Sequence, residues 1–527
     1  MTIRALLSRN IYYDSITLMS VAQAVKKLPG VEDIGIVMAT VANCEMLRHA
    51  HLFPDAWLAE QEVPPCAEDI LLVVRAIDEQ HAATALAHAE ERLTTSTHHK
   101  AQRSITNLPI RSLERALNEQ PGANLAVISV AGEHAWLEAE QALRHGLHVF
   151  LFSDNVPIEQ ERRLKILASE KGLLLMGPDC GTALINGVGL GFCNAVARGS
   201  IGIVGASGTG MQQLMCLIAA AGSGISQAIG TGGRDLSEEI GGMMMKQGLA
   251  LLAADEQTKV IVLVSKPPSE RVAQELLAAV QIDKPVVVVF LGSTTARFTS
   301  ASEHAYMART LTEGAEQAVA LAGGDPLGVP GTHLLRTDQA RLAQQRALLA
   351  PSQRFMRALY CGGTLCDEAM LVLSEHIGPI ASNIALQPAW ALAADELYRG
   401  HTALDLGADE FTRGRPHPMI DPTVRLDYLA RAAADPETAV LLLDIVLGYC
   451  TQSNPAATYA EAIYLARIRA QEAGRYLPVI VSLCGTEGDP QCLSTQRALL
   501  ESVGALVYES NMVAALATAE LVKEEDV

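Results

Sequence analysis

The sequence predicts an α/β protein made of several parallel-sheet domains, and three observations carry that prediction. First, the longest apolar runs, at 259–265, 285–291 and 439–443, are short. Each has the length of a strand buried on both faces, as in a parallel sheet. Second, strand and helix patterns alternate from about residue 121 to the end, which is the signature of strands joined by crossover helices. Third, 49% of the 527 residues are hydrophobic and only 19% are charged. A disordered chain shows the opposite balance. At roughly 100–200 residues per domain, the length implies three or four domains.

The elements follow in order. Residues 3–7, 34–38 and 70–74 read as strands, and 18–28 as a helix that closes on Pro29-Gly30. Together they give a small α/β unit over 1–95. The polar stretch 94–120, with Thr94, Ser96, His98 and His99, reads as a linker. A domain over 121–198 holds strands at 125–130, 148–152 and 173–176 with helices at 136–144 and 159–171. The pattern continues over 199–322. Gly323, Gly324, Pro326, Pro330 and Gly331 mark 323–353 as a linker, and the alternation resumes over 354–527.

The second and third large segments repeat one another. The stretch 201–209 parallels 357–364, 229–235 parallels 404–409, 260–264 parallels 440–444 and 284–289 parallels 477–481. Four matched landmarks in one order predict two copies of one βα domain facing each other across a pseudo-two-fold.

Lys and Arg total 40 against 59 Asp and Glu, a formal charge of −19. That excludes a general nucleic-acid binder, which needs a basic face for phosphates. No run approaches the ~18–20 apolar residues of a membrane span, and the opening residues lack the apolar core of a signal peptide. Ten cysteines without a CxxC pair read as buried thiols of a reducing cytosol, so a cytoplasmic protein is expected, with no metal site.

Ser207-Gly208-Thr209-Gly210 follows a strand and opens a helical run. Glycines let a ligand approach the backbone, and a helix start offers free N–H groups and a positive dipole end to an anion. The alternative is a tight turn in which Ser207 or Thr209 only caps the helix. Gly362-Gly363-Thr364 repeats the arrangement, so two helix starts could aim at one anion. Gly232-Gly233-Arg234-Asp235 lies after another strand, where Arg234 either forks onto a carboxylate or phosphate or is simply solvated. Asp405 and Asp409 sit in the equivalent loop of the second copy. Asp444, within an apolar strand, needs a partner and faces a ligand or is buried structurally. The proline-stiffened stretch 413–421, with Arg413, Arg415, His417 and Asp421, suits a binding lid or a solvated loop.

The stretches Gly177-Pro-Asp-Cys-Gly-Thr182, 199–209, Gly230-Thr-Gly-Gly233 and Lys284-Pro-Val-Val-Val288 are similar in order to the succinyl-CoA synthetase α chain. Residues 404–407, 442–445 and 478–486 resemble the carboxy-terminal ligase domain of its β chain. The FdrA family fuses these pieces, and 15–20, 206–210, 229–237, 361–368 and 416–423 resemble its stretches. The resemblance implies a Rossmann-like CoA-binding-type domain at 121–198 and flavodoxin-like ligase-CoA-type domains at 199–322 and 354–527. It implies an acyl-CoA synthetase-like protein or an oxamate carbamoyltransferase-like subunit of allantoin breakdown, acting with partner subunits and as a homo-oligomer. The synthetases' phosphohistidine loop has no counterpart here, because His304 lacks glycine neighbours and lies out of register. CoA is the one cofactor implied. Phe152, Ser153 and Asp154 stand where the synthetases contact it, whereas the glycine-free stretch 8–14 predicts weak or no CoA binding.

The expectation is therefore an enzyme subunit that handles a small acyl or carbamoyl phosphate. Its donor phosphate would lie among Ser207, Gly208, Thr209, Gly210, Gly362, Gly363 and Thr364. Gly232, Gly233, Arg234, Arg415 and His417 would hold the acceptor carboxylate, and Ser207, Thr209, Thr364, Arg234 and His417 would act in catalysis. An acid–CoA ligase subunit and a non-catalytic acyl-CoA-binding scaffold are the alternatives.

Overall fold

The computed structural model describes the chain except for residues 1, 10, 12, 14, 51, 54, 59–64, 67–68, 102–109, 279–281, 293–303, 332–335, 394–395 and 524–527. It divides into two compact units, Met1–Ser112 and Leu113–Val527.

The first unit comprises β1 (Thr2–Ser8), α1 (Ser15–Lys26), β2 (Val31–Met38), α2 (Val41–His49), α3 (Asp55–Leu58), β3 (Ile70–Ala76) and α4 (Glu79–Ala101). Its sheet, ordered β1-β3-β2, is antiparallel throughout, so the expectation of parallel sheets does not hold here. β3 is central because both its faces are apolar. Ile70, Leu72 and Val74 pack with Leu18 and Val25, and Leu71 and Val73 with Leu47 and Leu52. The stretch expected as a linker begins as the end of α4 and later forms α5 (Leu113–Glu119); residues 102–109 lie outside the described residues.

The second unit is α/β, with sheets that are parallel apart from one antiparallel edge hairpin. After α5 come β4 (Leu125–Ile128), α6 (Gly132–Arg144), β5 (His148–Leu151), α7 (Ile158–Glu170) and β6 (Leu175–Met176), a three-stranded parallel sheet. The hairpin β7 (Thr182–Ile185) and β8 (Val188–Gly191) leads into β9 (Arg198–Ala206), α8 (Gly208–Ala220), β10 (Ile225–Gly230), α9 (Met243–Ala254), β11 (Val260–Ser265), α10 (Glu270–Ala278), β12 (Val286–Phe290), β13 (Ala305–Met307) and α11 (Leu311–Leu321). These strands form a seven-stranded sheet ordered β13-β12-β11-β9-β10-β7-β8.

After α12 (Arg336–Arg346) the chain forms β14 (Phe355–Tyr360), α13 (Gly363–Ile377), β15 (Ile380–Ser382), β16 (His401–Asp405), α14 (Asp409–Thr412), α15 (Thr423–Ala434), β17 (Thr438–Val446), α16 (Pro455–Glu472), β18 (Val479–Cys484), α17 (Leu493–Ser502), β19 (Leu506–Tyr508) and α18 (Asn511–Val522). The six-stranded sheet is ordered β15-β16-β14-β17-β18-β19.

The repeated landmarks fall on β9 and β14, β10 and β16, β11 and β17, and β12 and β18. In both sheets they lie in the same spatial order, 12-11-9-10 and 18-17-14-16. In each lobe the first strand is central, and the chain leaves it to one side and returns on the other. The carboxyl ends of β9 and β11, and of β14 and β17, are therefore switch points, where open α/β sheets form a crevice.

The segment expected as the linker 323–353 contributes to the core. It carries α12, whose Leu342 is fully buried, as is Val329 nearly so. Leu342→Ala is therefore expected to lower stability by about 2–5 kcal/mol, the range for emptying a packed leucine site. A surface linker would show almost no change in a urea unfolding midpoint.

Candidate functional site between two helix starts

Each lobe delivers a helix start to the same place. Ser207, in extended backbone after β9, caps α8, and its hydroxyl accepts from the Gly210 N–H at 2.9 Å. Gly362 caps α13 after β14. The Ser207 hydroxyl also donates to the Thr364 hydroxyl at 2.6 Å. A Cβ on Gly362 would lie 2.9 Å from the Thr209 side chain, so only glycine lets the two starts meet this closely.

The α13 start is fixed from below by Asp444 of β17. Its carboxylate accepts the N–H groups of Cys361 and Gly362, both at 2.9 Å, and pairs with Arg425 at 2.6 Å. Arg425 also donates to the Leu359 carbonyl and the Tyr459 hydroxyl. Asp444 is thus the buried structural residue of the two readings left open. Gly362 has spent its N–H on it. The N–H groups without an intrahelical acceptor are those of Gly363, Thr364 and Leu365 in α13 and of Gly208 and Thr209 in α8. Gly210 likewise gives its N–H to Ser207, so the array is smaller than expected.

These groups border a cavity of about 500 Å³ that also includes Phe152, Ser153, Asp154, Asp179, Thr182, Gln212, Gly233, Arg234, Lys266, Asp405, Asp409, Arg415 and His417. The volume suits a small ligand. Among the residues expected to act, Ser207 has its hydroxyl committed to the two helix starts, which makes it a clamp. Thr209 and Thr364 stand at those starts. Arg234 borders the cavity, but its guanidinium pairs with Glu161 at 2.8 Å and donates to the Val156 carbonyl at 2.7 Å. Behind it the fully buried Lys165 joins Glu161 and Asp235, at 2.9 and 2.8 Å, and fixes the loop. Gly232, at φ +84°, lies where a Cβ would meet the Pro178 carbonyl and does not border the cavity; Gly233 faces Asp179. Arg415 is at the rim.

Burial pushes His417 down to about 4, against the pull of Asp154 and helped by Arg425. Its Nδ1 accepts from the Met419 N–H at 3.3 Å, which leaves the proton on Nε2. His417 is therefore a neutral donor. Ser153 accepts from the Val130 N–H at 3.1 Å, and Asp154 from the Thr412 hydroxyl at 3.1 Å. His304 pairs its carbonyl with Val286 at the amino end of β12. The site lies at the carboxyl ends, about 13 Å away at 3.3 Å per residue. Residues 293–303 lie outside the described residues.

Sequence reading missed Lys266, Thr182, Gln212, Asp179 and Asp367. Lys266 follows β11, whose Ser265 pairs with Ala206, so it lies beside Ser207. Burial opposes its charge, but Asp405, Asp367 and Asp179 outweigh burial and raise its pKa. Burial in turn lifts Asp367 to about 7 and Asp179 to about 6, against the pull of Lys266. The signal was available in the register: a lysine one residue past a switch-point strand.

Over 526 residues the chain is 41% identical to the Escherichia coli protein YahF, 99% of each being covered. The chain belongs to the YahF family. This member is also 26% identical over 220 residues to the Archaeoglobus fulgidus succinate–CoA ligase [ADP-forming] subunit alpha 2, covering 41% of this chain and 75% of that one. It is 23% identical over 239 residues to the Bilophila wadsworthia ADP-forming sulfoacetate-CoA ligase subunit SauD, covering 43% and 80%. A CoA-ligase family model matches residues 359–521 and a CoA binding domain model 197–292; residues 121–196 lie outside both. The chain therefore joins CoA-binding and CoA-ligase modules in one polypeptide, with the CoA binding match on 197–292, where a ligase-CoA-type domain was expected, and not on 121–198. Among the described residues, no helix is long and apolar enough to cross a membrane.

A third model, "AllF, heavy metal-associated domain", matches residues 1–107. Stretch 8–14 therefore belongs to a different module, next to an antiparallel sheet, and its lack of glycine says nothing about CoA. Nor do the donors fit the metal in that model's name. Cys44 is packed among Leu47, Leu52 and Val73, where burial raises its thiol pKa, and Cys66 is exposed. Among the described residues, no three His, Cys, Asp or Glu side chains converge as an ion's ligands.

Two measurements check this geometry. Arg425→Met leaves Asp444 charged, buried and unpaired, and is expected to cost about 3–5 kcal/mol in denaturant unfolding. The Asp367 pKa is raised on folding, so its contribution is complete below the unfolded value of 3.8 and is lost as pH rises to about 7. Thermal melts should show Asp367→Asn gaining on wild type across that window, by at most about 1.4 kcal/mol per pH unit, and level above it.

Proposed function

We propose that the chain is a subunit of an acid–CoA ligase-type enzyme that holds a small acyl phosphate between the starts of α8 and α13 and passes the acyl group to CoA. The CoA sulfur bonds to the acyl carbon, the carbon–oxygen bond to phosphate breaks, and the thiol proton leaves with the released phosphate or to water. The N–H groups of Gly208, Thr209, Gly363 and Thr364 stabilise the charge on the departing phosphate, as preorganised donors do in a dry site. The neutral His417 donates from Nε2 to a polar group of the substrate. Phe152, Ser153 and Asp154 line the side of the cavity that we assign to CoA. Nucleotide-dependent formation of the acyl phosphate belongs to a partner subunit in this reading.

The observation that carries the proposal is the meeting of two helix starts, one from each lobe, in lobes matched by CoA-binding and CoA-ligase models. The FdrA-type reading, carbamoyl transfer to a carboxylate-bearing acceptor, uses the same donors. It differs in needing carbamoyl phosphate and no CoA.

Thermal shift and calorimetry with CoA, acetyl phosphate and carbamoyl phosphate decide between them. Each ligand at one hundred times its Kd adds about 2.7 kcal/mol to stability. Stabilisation by CoA and by acetyl phosphate is expected. A shift with carbamoyl phosphate and none with CoA moves the assignment to carbamoyl transfer, a shift with CoA alone leaves the CoA-binding scaffold, and no shift with any of the three overturns all of these readings.

A matched pair of variants tests the array itself. A Cβ on Gly208 has no neighbour closer than 3.6 Å, so Gly208→Val fills the anion position without disturbing the fold. Turnover is expected to fall by about 10²–10³, with an unchanged circular dichroism spectrum. Gly363 has no positive φ. Its Cβ would instead lie 2.6 Å from both Lys266 Nζ and Asp405 Oδ2, so Gly363→Val displaces charged groups as well.

A further inference from the structure

We propose that Lys266 is the side-chain cation of this site and that, with the Thr182 hydroxyl, it makes the site selective for a tetrahedral phosphoryl anion over a carboxylate. The inference rests on the two-helix reading above and adds to it the residues that decide the ligand class.

The cavity is a poor place for an anion on charge alone. Asp154, Asp179, Asp405 and Asp409 all border it. An anion bound among them needs a cation within direct reach, and three cations are candidates. Arg234 is committed to Glu161 and the Val156 carbonyl. Arg415 is exposed at the rim. Lys266 is the third, and its Nζ lies 2.6 Å from where a Gly363 Cβ would be, directly at the α13 start.

The contrast with Lys165 shows what Lys266 is free to do. Lys165 is fully buried and has its ammonium taken by Glu161, Asp235 and the Thr231 carbonyl, all within 2.9 Å. Lys266 is surrounded by Asp179, Asp367 and Asp405, yet among the described residues none of them closes an ion pair with it. Asp405 is instead held by the Gly407 N–H at 3.0 Å. The carboxylates keep Lys266 charged and in place, and its N–H donors remain available. Backbone pairing of Ser265 with Ala206 and the following Pro267-Pro268 fix where its stem begins.

Thr182, beside the α8 start, supplies a second, independent observation. It is 1% exposed, its hydroxyl has no hydrogen-bond partner among the described residues, and it lies 3.6 Å from the Cβ position of Gly208 at the α8 start. A buried hydroxyl without a partner is costly unless a ligand completes it. The donors thus come from two sides: Lys266 with Gly363 and Thr364, and Thr182 with Gly208 and Thr209. A phosphoryl group presents oxygens in three directions and can meet both sides. A carboxylate presents only two oxygens in one plane, so it satisfies fewer of these donors at once.

Calorimetry of the full chain with inorganic phosphate, acetyl phosphate and acetate tests this, with ligand-free melting temperature as the folding control. Wild type is expected to bind both phosphates and to bind acetate at least 10-fold more weakly. Lys266→Met is expected to weaken phosphate binding about 10- to 100-fold, the loss typical of a charge-assisted contact, and Lys266→Arg to restore most of it. Lys266→Gln replaces the methionine variant if that one melts early. Thr182→Val is expected to cost about 3- to 10-fold. Phosphate binding by Lys266→Met or Lys266→Gln at wild-type affinity overturns the role of Lys266 and leaves the two-helix site standing. Equal affinity for acetate overturns the selectivity. A wild-type chain that binds neither phosphate overturns both this inference and the two-helix reading.

Discussion

The buried carboxylate of Asp444 fixes the geometry on which the second unit turns. It sits in a strand otherwise made of apolar residues, and an isolated charge there would be prohibitive. Two backbone N–H groups from the β14–α13 turn and the Arg425 guanidinium meet it instead. One ion pair therefore ties together β17, α15 and the beginning of α13. Breaking it would leave a charge without compensation, while the intact pair holds the turn in one conformation. The clamp from Ser207 to Thr364 then transmits that order to the other lobe.

The pocket's electrostatics follow from how its charges are distributed. Lys165, Glu161 and Asp235 form a closed set beneath one loop and do not border the cavity. Lys266, Asp405, Asp367 and Asp179 form an open set: their attraction raises the lysine pKa, while burial raises that of the carboxylates. Closed sets specify structure, whereas open sets at a sheet's carboxyl edge are poised for chemistry. That distinction is not visible in composition, where all seven residues look alike.

Much of the fold was legible in the sequence because apolar periodicity reports burial directly. The four repeated landmarks map onto four strands in the same spatial order in each sheet, and the paired Gly-Thr loops do face one another. Other features were not legible, for identifiable reasons. The antiparallel order of the first unit depends on pairing, which periodicity does not encode. Residues 323–353 looked like a linker because of their glycines and prolines, yet Leu342 anchors a helix there. Arg234 and His417 were recognisable as charged or titratable side chains in stiff loops. Their partners, Glu161 more than seventy residues away and the Met419 N–H, became apparent only in three dimensions. Lys266 escaped notice because it adjoins an apolar strand and carries no motif.

The covalent joining of the two lobes has a further consequence. The helix starts that meet at Ser207 and Thr364 lie 157 residues apart in one chain. Their encounter is therefore intramolecular, at an effective concentration set by the connecting segment and by the packing of α12 against α18. A site shared between separate chains dissolves when each is diluted below its dissociation constant. Here the two halves stay paired at any dilution, and the site's occupancy depends on ligand alone.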